Sequence, residues 1–342
     1  MKHFQMEYLQ AKGRDWVEWV AAVGFVVVAF ALIAAATWRA GPPLELTVPE
    51  GATLEEVADT LSARGVIRAR PLFVTYARLM RADRNIKAGP YALRERSSWS
   101  RALGALTRGE VLTERLTIPE GFTLAQITPR VAEMSNAPIE WVDALVATPG
   151  LDTELGVPGP GLEGYLFPDT YYFASGVGPR TQFEAMVARY KNVWTPARRA
   201  RLDSLGMTEA EIVTLASIVQ AEARRTEEMP RIAGVYSNRL RIGMLLQADP
   251  TVLYALGGYR ERLLFAAIDS VADHPYNTYT QPGLPPGPIG SPGEEAIDAA
   301  LHPTGDDLYF VAWPDGTHVF TQSLADHNQA VGRARAAAGR GS

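Results

Sequence analysis

The run Leu215-Ala216-Ser217-Ile218-Val219-Gln220-Ala221-Glu222-Ala223 sets one carboxylate among apolar residues. Ile212, Leu215, Ile218 and Val219 recur at helical intervals, and Glu222 follows Ile218 by four residues and Val219 by three, so the spacing predicts one shared face. A carboxylate there is turned toward a core or cleft, where lost hydration raises its pKa from about 4.3 toward 6 or higher. Such a group keeps its proton near neutrality and can serve as a general acid. The same pattern fits a structural acid paired with Arg224, Arg225 or Arg239, and this stretch alone leaves both readings open. The following Arg224-Arg225-Thr226-Glu227-Glu228 reads as a solvated charge run.

Acid cleavage of a carbohydrate also requires aromatic platforms for sugar faces and amides or hydroxyls for sugar hydroxyls and acetamides. Gln247-Ala248-Asp249-Pro250-Thr251, Tyr276-Asn277-Thr278-Tyr279 and Gly283-Leu284-Pro285-Pro286-Gly287-Pro288-Ile289 supply these types. Taken singly, Asn277 and Thr278 read as turn residues that cap backbone groups. Other chemistries find less support. His302, His318 and His327 are widely spaced with no His-Glu-x-x-His, so neither a metal site nor any cofactor is expected. There is no Gly-x-Ser-x-Gly elbow, Ser217 lies inside the helix, and no Gly-rich phosphate loop follows a strand. The absence of cysteine removes disulfides and thiolate catalysis, and a net charge of −5 gives no electrostatic reason to expect nucleic acid.

The elements that must position these groups begin after an apolar segment. Trp19 to Trp38 carries no charged side chain and is long enough to span a bilayer, which takes about 20 apolar residues. Lys2, Lys12 and Arg14 precede it and only Arg39 follows closely, which predicts a cytoplasmic N-terminus and everything beyond Thr37 outside. The reading is a cytoplasmic tail at 1–15 and a single N-terminal transmembrane helix at 16–38; Ala34-Ala35-Ala36 would suit a signal-peptidase site, but the run is long for a cleaved leader. Leu46-Thr47-Val48-Pro49-Glu50-Gly51-Ala52-Thr53-Leu54 then recurs seventy residues later as Leu116-Thr117-Ile118-Pro119-Glu120-Gly121-Phe122-Thr123-Leu124. Each copy predicts a strand, a Pro-Glu-Gly turn, a Thr N-cap and a helix, and the second opens a new unit near Arg115.

Helices are predicted at 54–64, 70–81, 100–107, 124–134, 139–147, 182–193, 209–223 and 229–240, with core spacing for Leu72, Phe73, Tyr76, Leu79 and Met80. A short strand is expected at 88–93, a long loop at 148–164, and strands and loops from Gly243 to Val319. Without regular strand–helix alternation the fold class is α+β: a membrane-proximal unit at 39–115, a mixed α+β catalytic domain at 116–335 and a disordered tail at 336–342.

Five segments together resemble the endolytic murein transglycosylase family, of the YceG-like or MltG type. They are Leu162-Glu163-Gly164-Tyr165-Leu166-Phe167-Pro168-Asp169-Thr170-Tyr171, the Ala216-Ser217-Ile218-Val219-x-x-Glu222 stretch, Asn238-Arg239-Leu240 through Asp249-Pro250-Thr251-Val252-x-Tyr254, Tyr276-Asn277-Thr278-Tyr279, and Gly283 to Ile289. The resemblance covers about Leu44 to Val331, with the motifs in family order. It implies a single-pass inner-membrane enzyme, N-terminus cytoplasmic, with a small LysM-like α/β unit near the membrane and an extracytoplasmic (periplasmic) catalytic domain. Its expected reaction is cleavage of the β-1,4 bond between N-acetylmuramic acid and N-acetylglucosamine within nascent peptidoglycan strands, leaving 1,6-anhydro ends, alongside peptidoglycan synthases. The family's catalytic glutamate maps onto Glu222; where many relatives have a second glutamate two positions earlier, this chain has Gln220. Ser291-Pro292-Gly293 and His327-Asn328 match later motifs that shape the site at most.

On this reading Glu163, Gln247, Asp249, Asn277 and Thr278 position substrate or acid, while Tyr165 and Tyr279 either stack on sugars or pack. Two alternatives predict different outcomes. A noncatalytic peptidoglycan-binding scaffold would bind strands without cutting, and a two-carboxylate muramidase with Asp249 activating water would leave hydrated ends.

Overall fold

The computed structural model describes residues 41–258 and 265–339. The expected membrane span lies outside them, and among the described residues no helix is long and apolar enough to cross a membrane. The protein is mixed α+β, about half helical with two-stranded sheets, and divides between Thr113 and Glu114 into two units with separate apolar cores.

In the first unit β1 (Pro43–Val48) pairs antiparallel with β2 (Gly89–Arg94), Leu46 opposite Tyr91. Alternation turns Leu46, Val48, Tyr91 and Leu93 inward. Against them lie α1 (Leu54–Ala63), α2 (Arg70–Leu79) and α3 (Trp99–Arg108), contributing Val57, Leu61, Phe73 and Leu106. The expected core spacing of the second helix is corrected here. Phe73, Val74 and Ala77 form the buried strip, whereas Leu72, Leu79 and Met80 are exposed. A ten-residue helix carrying apolar side chains on more than one face can bury either, and Trp99, edge-on to Phe73 and tilted against Tyr76, selects this one.

The chain passes into the second unit along β3 (Thr113–Thr117), which pairs with β4 (Thr170–Ala174). Between them run α4 (Leu124–Ser135), α5 (Ile139–Val146) and α6 (Leu151–Leu155), the last within the expected 148–164 loop. Then come α7 (Pro179–Val193), α8 (Pro196–Leu205), α9 (Glu209–Glu222), a 3-10 turn at Thr226–Glu228 and α10 (Met229–Arg241). The expected strand-and-loop stretch instead holds α11 (Asp249–Ala255), α12 (Phe265–Ser270) and α13 (Glu294–Leu301) before the hairpin β5 (Tyr309–Ala312) and β6 (His318–Thr321). A final α14 (Leu324–Ala338) runs through the first residues of the expected tail.

The internal repeat is real at the level of local structure. Gly51 and Gly121 both adopt positive φ, at 74° and 75°, and Thr53 and Thr123 each open a helix with a capping box. In the first, the Thr53 N–H donates to Glu56; in the second, the Thr123 N–H donates to Gln126.

At the centre of the second unit is α9. Ile212 to Val219 are buried at every position, so the helix is enclosed all round and not on the single face its spacing predicts. It packs against α10, α11 and α13. A Thr208 capping box sets its start, and Ala223 leaves the helix in extended conformation, so Glu222 is its last residue.

Candidate active site

Glu222 therefore sits where enclosed helix meets accessible surface. Its Oε1 accepts a 2.8 Å hydrogen bond from the Tyr236 phenol of α10, and among the described residues no protein group bonds Oε2. Burial pushes its pKa up to about 7, Asp249 adds to the rise, and Tyr236 and Arg239 oppose it. The negative end of the α9 dipole also disfavours an anion here. The ion-pair reading does not hold among the described residues, because the arginines offered for it are engaged elsewhere or solvated. Arg239 is 8% exposed and donates to the carbonyls of Leu245, Leu246 and Leu308, with its guanidinium 5.3 Å from the Tyr309 ring centre. Arg225 donates to the Asp315 carbonyl, and Arg224 is exposed.

The motifs converge around α9. Ser217 Oγ accepts from the Ile289 N–H, tying the proline-rich loop to the helix one turn before Glu222. Gln220 accepts from the Gly293 N–H at the start of α13, so the residue replacing the second glutamate has a structural partner. Ser291 exchanges backbone bonds with Gly121 and Phe122 of the second repeat turn. Two glycines permit this closeness. A Cβ on Gly164, at φ 83°, would collide with Pro288, and one on Gly290 would lie 2.7 Å from the Gly121 carbonyl oxygen.

Asn277 and Thr278 are buried and face backbone. Asn277 Nδ2 donates to the Ile268 and Val271 carbonyls and its Oδ1 accepts from the Tyr279 N–H. Thr278 Oγ1 lies 2.8 Å from Thr251 Oγ1 and accepts from the Ala248 N–H, while its carbonyl accepts from the Gln247 N–H. They act on the turn that presents Gln247 and Asp249. Gln247 itself is exposed at φ 50°, a left-handed conformation unusual for a side-chain-bearing residue and often stored at functional sites. Asp249, exposed at the head of α11, accepts from the Tyr279 phenol. Tyr279 is half-buried with its hydroxyl committed to that bond.

Two expectations change. Tyr165 is fully buried and meets Tyr190 edge-on at 5.3 Å, so it packs in the core and presents no face to a sugar. Glu163, half-buried, binds protein groups: Oε1 accepts from the Leu124 N–H at 2.9 Å and Oε2 from the Tyr254 phenol at 3.1 Å. Burial nevertheless pushes its pKa up to about 7. It pins the start of α4 to α11. Glu228 also departs from its solvated reading, accepting from both the N–H and Nδ1 of His318.

No sequence motif singles out Tyr236, and its only mark is its place in the helix. A buried tyrosine must satisfy its hydroxyl, and Tyr236 lies between apolar positions of α10, which was the available signal. His327 stacks on Tyr309 at 5.3 Å, and burial together with Arg239 holds its imidazole below the usual histidine pKa. A concavity of about 560 Å³ elsewhere, between α8 and α13, offers less chemistry, since its Arg198 is already paired with Glu294 and Asp298.

The site thus has one carboxyl with a raised pKa and an uncommitted oxygen at the end of a buried helix, the equipment of a single-carboxylate acid–base catalyst. Residues 46–333 match the YceG-like family, and the chain belongs to it. It is 31% identical over 306 residues to an endolytic murein transglycosylase of Bacillus subtilis (strain 168), covering 84% of this chain and 83% of that protein. It is 33% identical over 315 residues to a Streptococcus pneumoniae serotype 2 protein of the same name, covering 83% of this chain and spanning 57% of that relative. The crystal structure of a YceG-like protein from Listeria monocytogenes aligns with a TM-score of 0.58 at 31% identity, over 84% of this chain and 98% of that one.

Proposed function

We propose that this protein is an endolytic peptidoglycan lytic transglycosylase with Glu222 as its single acid–base group. The observation that carries the reading is the place of Glu222 at the end of the buried helix α9, its Oε1 held by Tyr236, where burial pushes its pKa up to about 7; the relatives' shared name supports the substrate class. Glu222 gives its proton to the oxygen of the β-1,4 bond between N-acetylmuramic acid and N-acetylglucosamine as the bond to the anomeric carbon breaks. The carboxylate then takes the proton of the muramic 6-hydroxyl as that oxygen bonds the anomeric carbon. The acid is regenerated, no water is consumed, and the new end is a 1,6-anhydro sugar. One carboxylate suffices because the nucleophile belongs to the substrate, whereas most glycoside hydrolases need two.

Asp249 sustains the protonated form of Glu222 electrostatically, and Gln247 and Tyr279 border the glycan path. Glu163, Asn277 and Thr278 support the elements that carry them. Upstream, Trp19–Trp38 anchors the protein in the inner membrane with the catalytic unit outside, the 39–115 unit serves as a LysM-like spacer, and peptidoglycan synthases supply the nascent strands. These proposals rest on the sequence pattern and the family resemblance.

General acid–base groups contribute typically about 10²- to 10⁴-fold, so Glu222→Gln is expected to lower strand cleavage by that factor with an unchanged circular dichroism spectrum. Full cleavage by the variant would refute the assignment. Since the first step needs the protonated acid, wild-type turnover should hold below a pH of about 7 and decline above it.

A further inference from the structure

We propose that Tyr236 is the positioning residue of the acid: its phenol, donating to Glu222 Oε1, orients the carboxyl so that Oε2 is the oxygen that gives and retakes the proton. This rests on the reading of Glu222 as the acid–base group.

Glu222 needs an external hold. It is the last residue of α9 and the next residue turns extended, so its side chain leaves a helix end. Tyr236 supplies that hold from α10. It is 1% exposed, and among the described residues its hydroxyl has no partner but Glu222, at 2.8 Å. Its ring is fixed in turn by Phe310 of β5, perpendicular at 5.8 Å. The helix beneath it is fixed too. Gly234 lies so close to the Thr304 backbone that a Cβ would collide with it, and one turn on Arg239 clasps three carbonyls.

The bond suits both protonation states. With the proton on Oε2, Oε1 is a carbonyl oxygen accepting from the phenol; once the proton has left, the same bond becomes charge-assisted and stronger. The phenol remains a donor throughout, because burial and Glu222 hold its pKa far above the ordinary range. The groups acting on Glu222 are Tyr236 and Arg239 of α10, Asp249 of α11, and Tyr279. From α13, also packed on α9, Glu294 and Asp298 pair with Arg198, and Glu295 acts on Glu120. Only Tyr236 bonds Glu222 directly among these described groups.

The test is the pH profile of kcat on uncrosslinked glycan strands for the full chain in detergent, carrying Tyr236→Phe, 3-fluorotyrosine at position 236, or Glu222→Gln. Removing a donor to a carboxylate raises its pKa. Tyr236→Phe should therefore lower kcat about tenfold or more, leave KM within about twofold, and move the alkaline limb up by about one pH unit. The fluorinated phenol is a stronger donor of nearly the same shape and should move the limb down, a comparison that stands even if the phenylalanine variant fails to fold. An inactive Glu222→Gln with limbs unmoved in the other two would overturn this inference alone. An active Glu222→Gln would overturn the reading beneath it.

Discussion

Two carboxyls of the second unit share a pKa of about 7, yet their surroundings separate their roles. Both oxygens of Glu163 accept protein hydrogen bonds, whereas Glu222 has one oxygen held and the other without a partner among the described residues. A raised pKa alone would not have chosen between them. Glu222 was legible in the sequence because one carboxylate in an apolar helical run is conspicuous. Tyr236 was not, because its contact joins two helices and leaves no local pattern. The same neighbourhood gives a test against water-activated hydrolysis. Asp249 raises the pKa of Glu222, so Asp249→Asn should lower it and move the alkaline limb of the rate profile down while most turnover in the acid range persists. Loss of cleavage at every pH would instead favour Asp249 as the activator of water.

At the scale of elements, the motifs act through α9 more than on a substrate. Ser217, Gly164 and Gly290 accommodate the Gly283–Ile289 loop, and the second repeat turn is zipped to Ser291. Ser217→Ala leaves the buried Ile289 N–H without its acceptor and should cost about 1–3 kcal/mol, read as a lower urea midpoint at unchanged slope. An unchanged midpoint would show that the tie carries no stability. The repeat and the long helices were readable from caps and periodicity, Thr53 and Thr123 most plainly. The helices of the Gly243–Val319 stretch were not. At seven, six and eight residues, α11, α12 and α13 scarcely complete two turns, too few for a period to emerge. Pro250 at the head of α11 starts a helix, though a proline within an apparently irregular stretch invites a loop reading. The inward face of α2 was likewise settled by Trp99, from a distant part of the chain.

For the whole molecule, a carboxyl set among apolar helices trades stability for function. Its cost has a definite sign. The folded protein holds the Glu222 proton up to about pH 7 while the unfolded chain releases it near 4.5, so stability attributable to this residue declines as pH rises between those values. Glu222→Gln should therefore melt higher than wild type by a margin that grows from about pH 4.5 to 7 and then levels off; a margin independent of pH would mean that the carboxyl is not desolvated in solution. The two units have separate cores, so the transition to follow is that of the unit from Glu114 onward. The most direct test of the central claim, that one carboxyl shuttles a proton without spending water, is digestion of uncrosslinked glycan strands in oxygen-18 water with mass analysis of the new ends. Ends about 20 Da lighter than the oxygen-18 hydrolysis products, free of the heavy isotope and absent with Glu222→Gln, are predicted. Hydrated ends carrying oxygen-18 would contradict the account and leave a two-carboxylate hydrolase in its place.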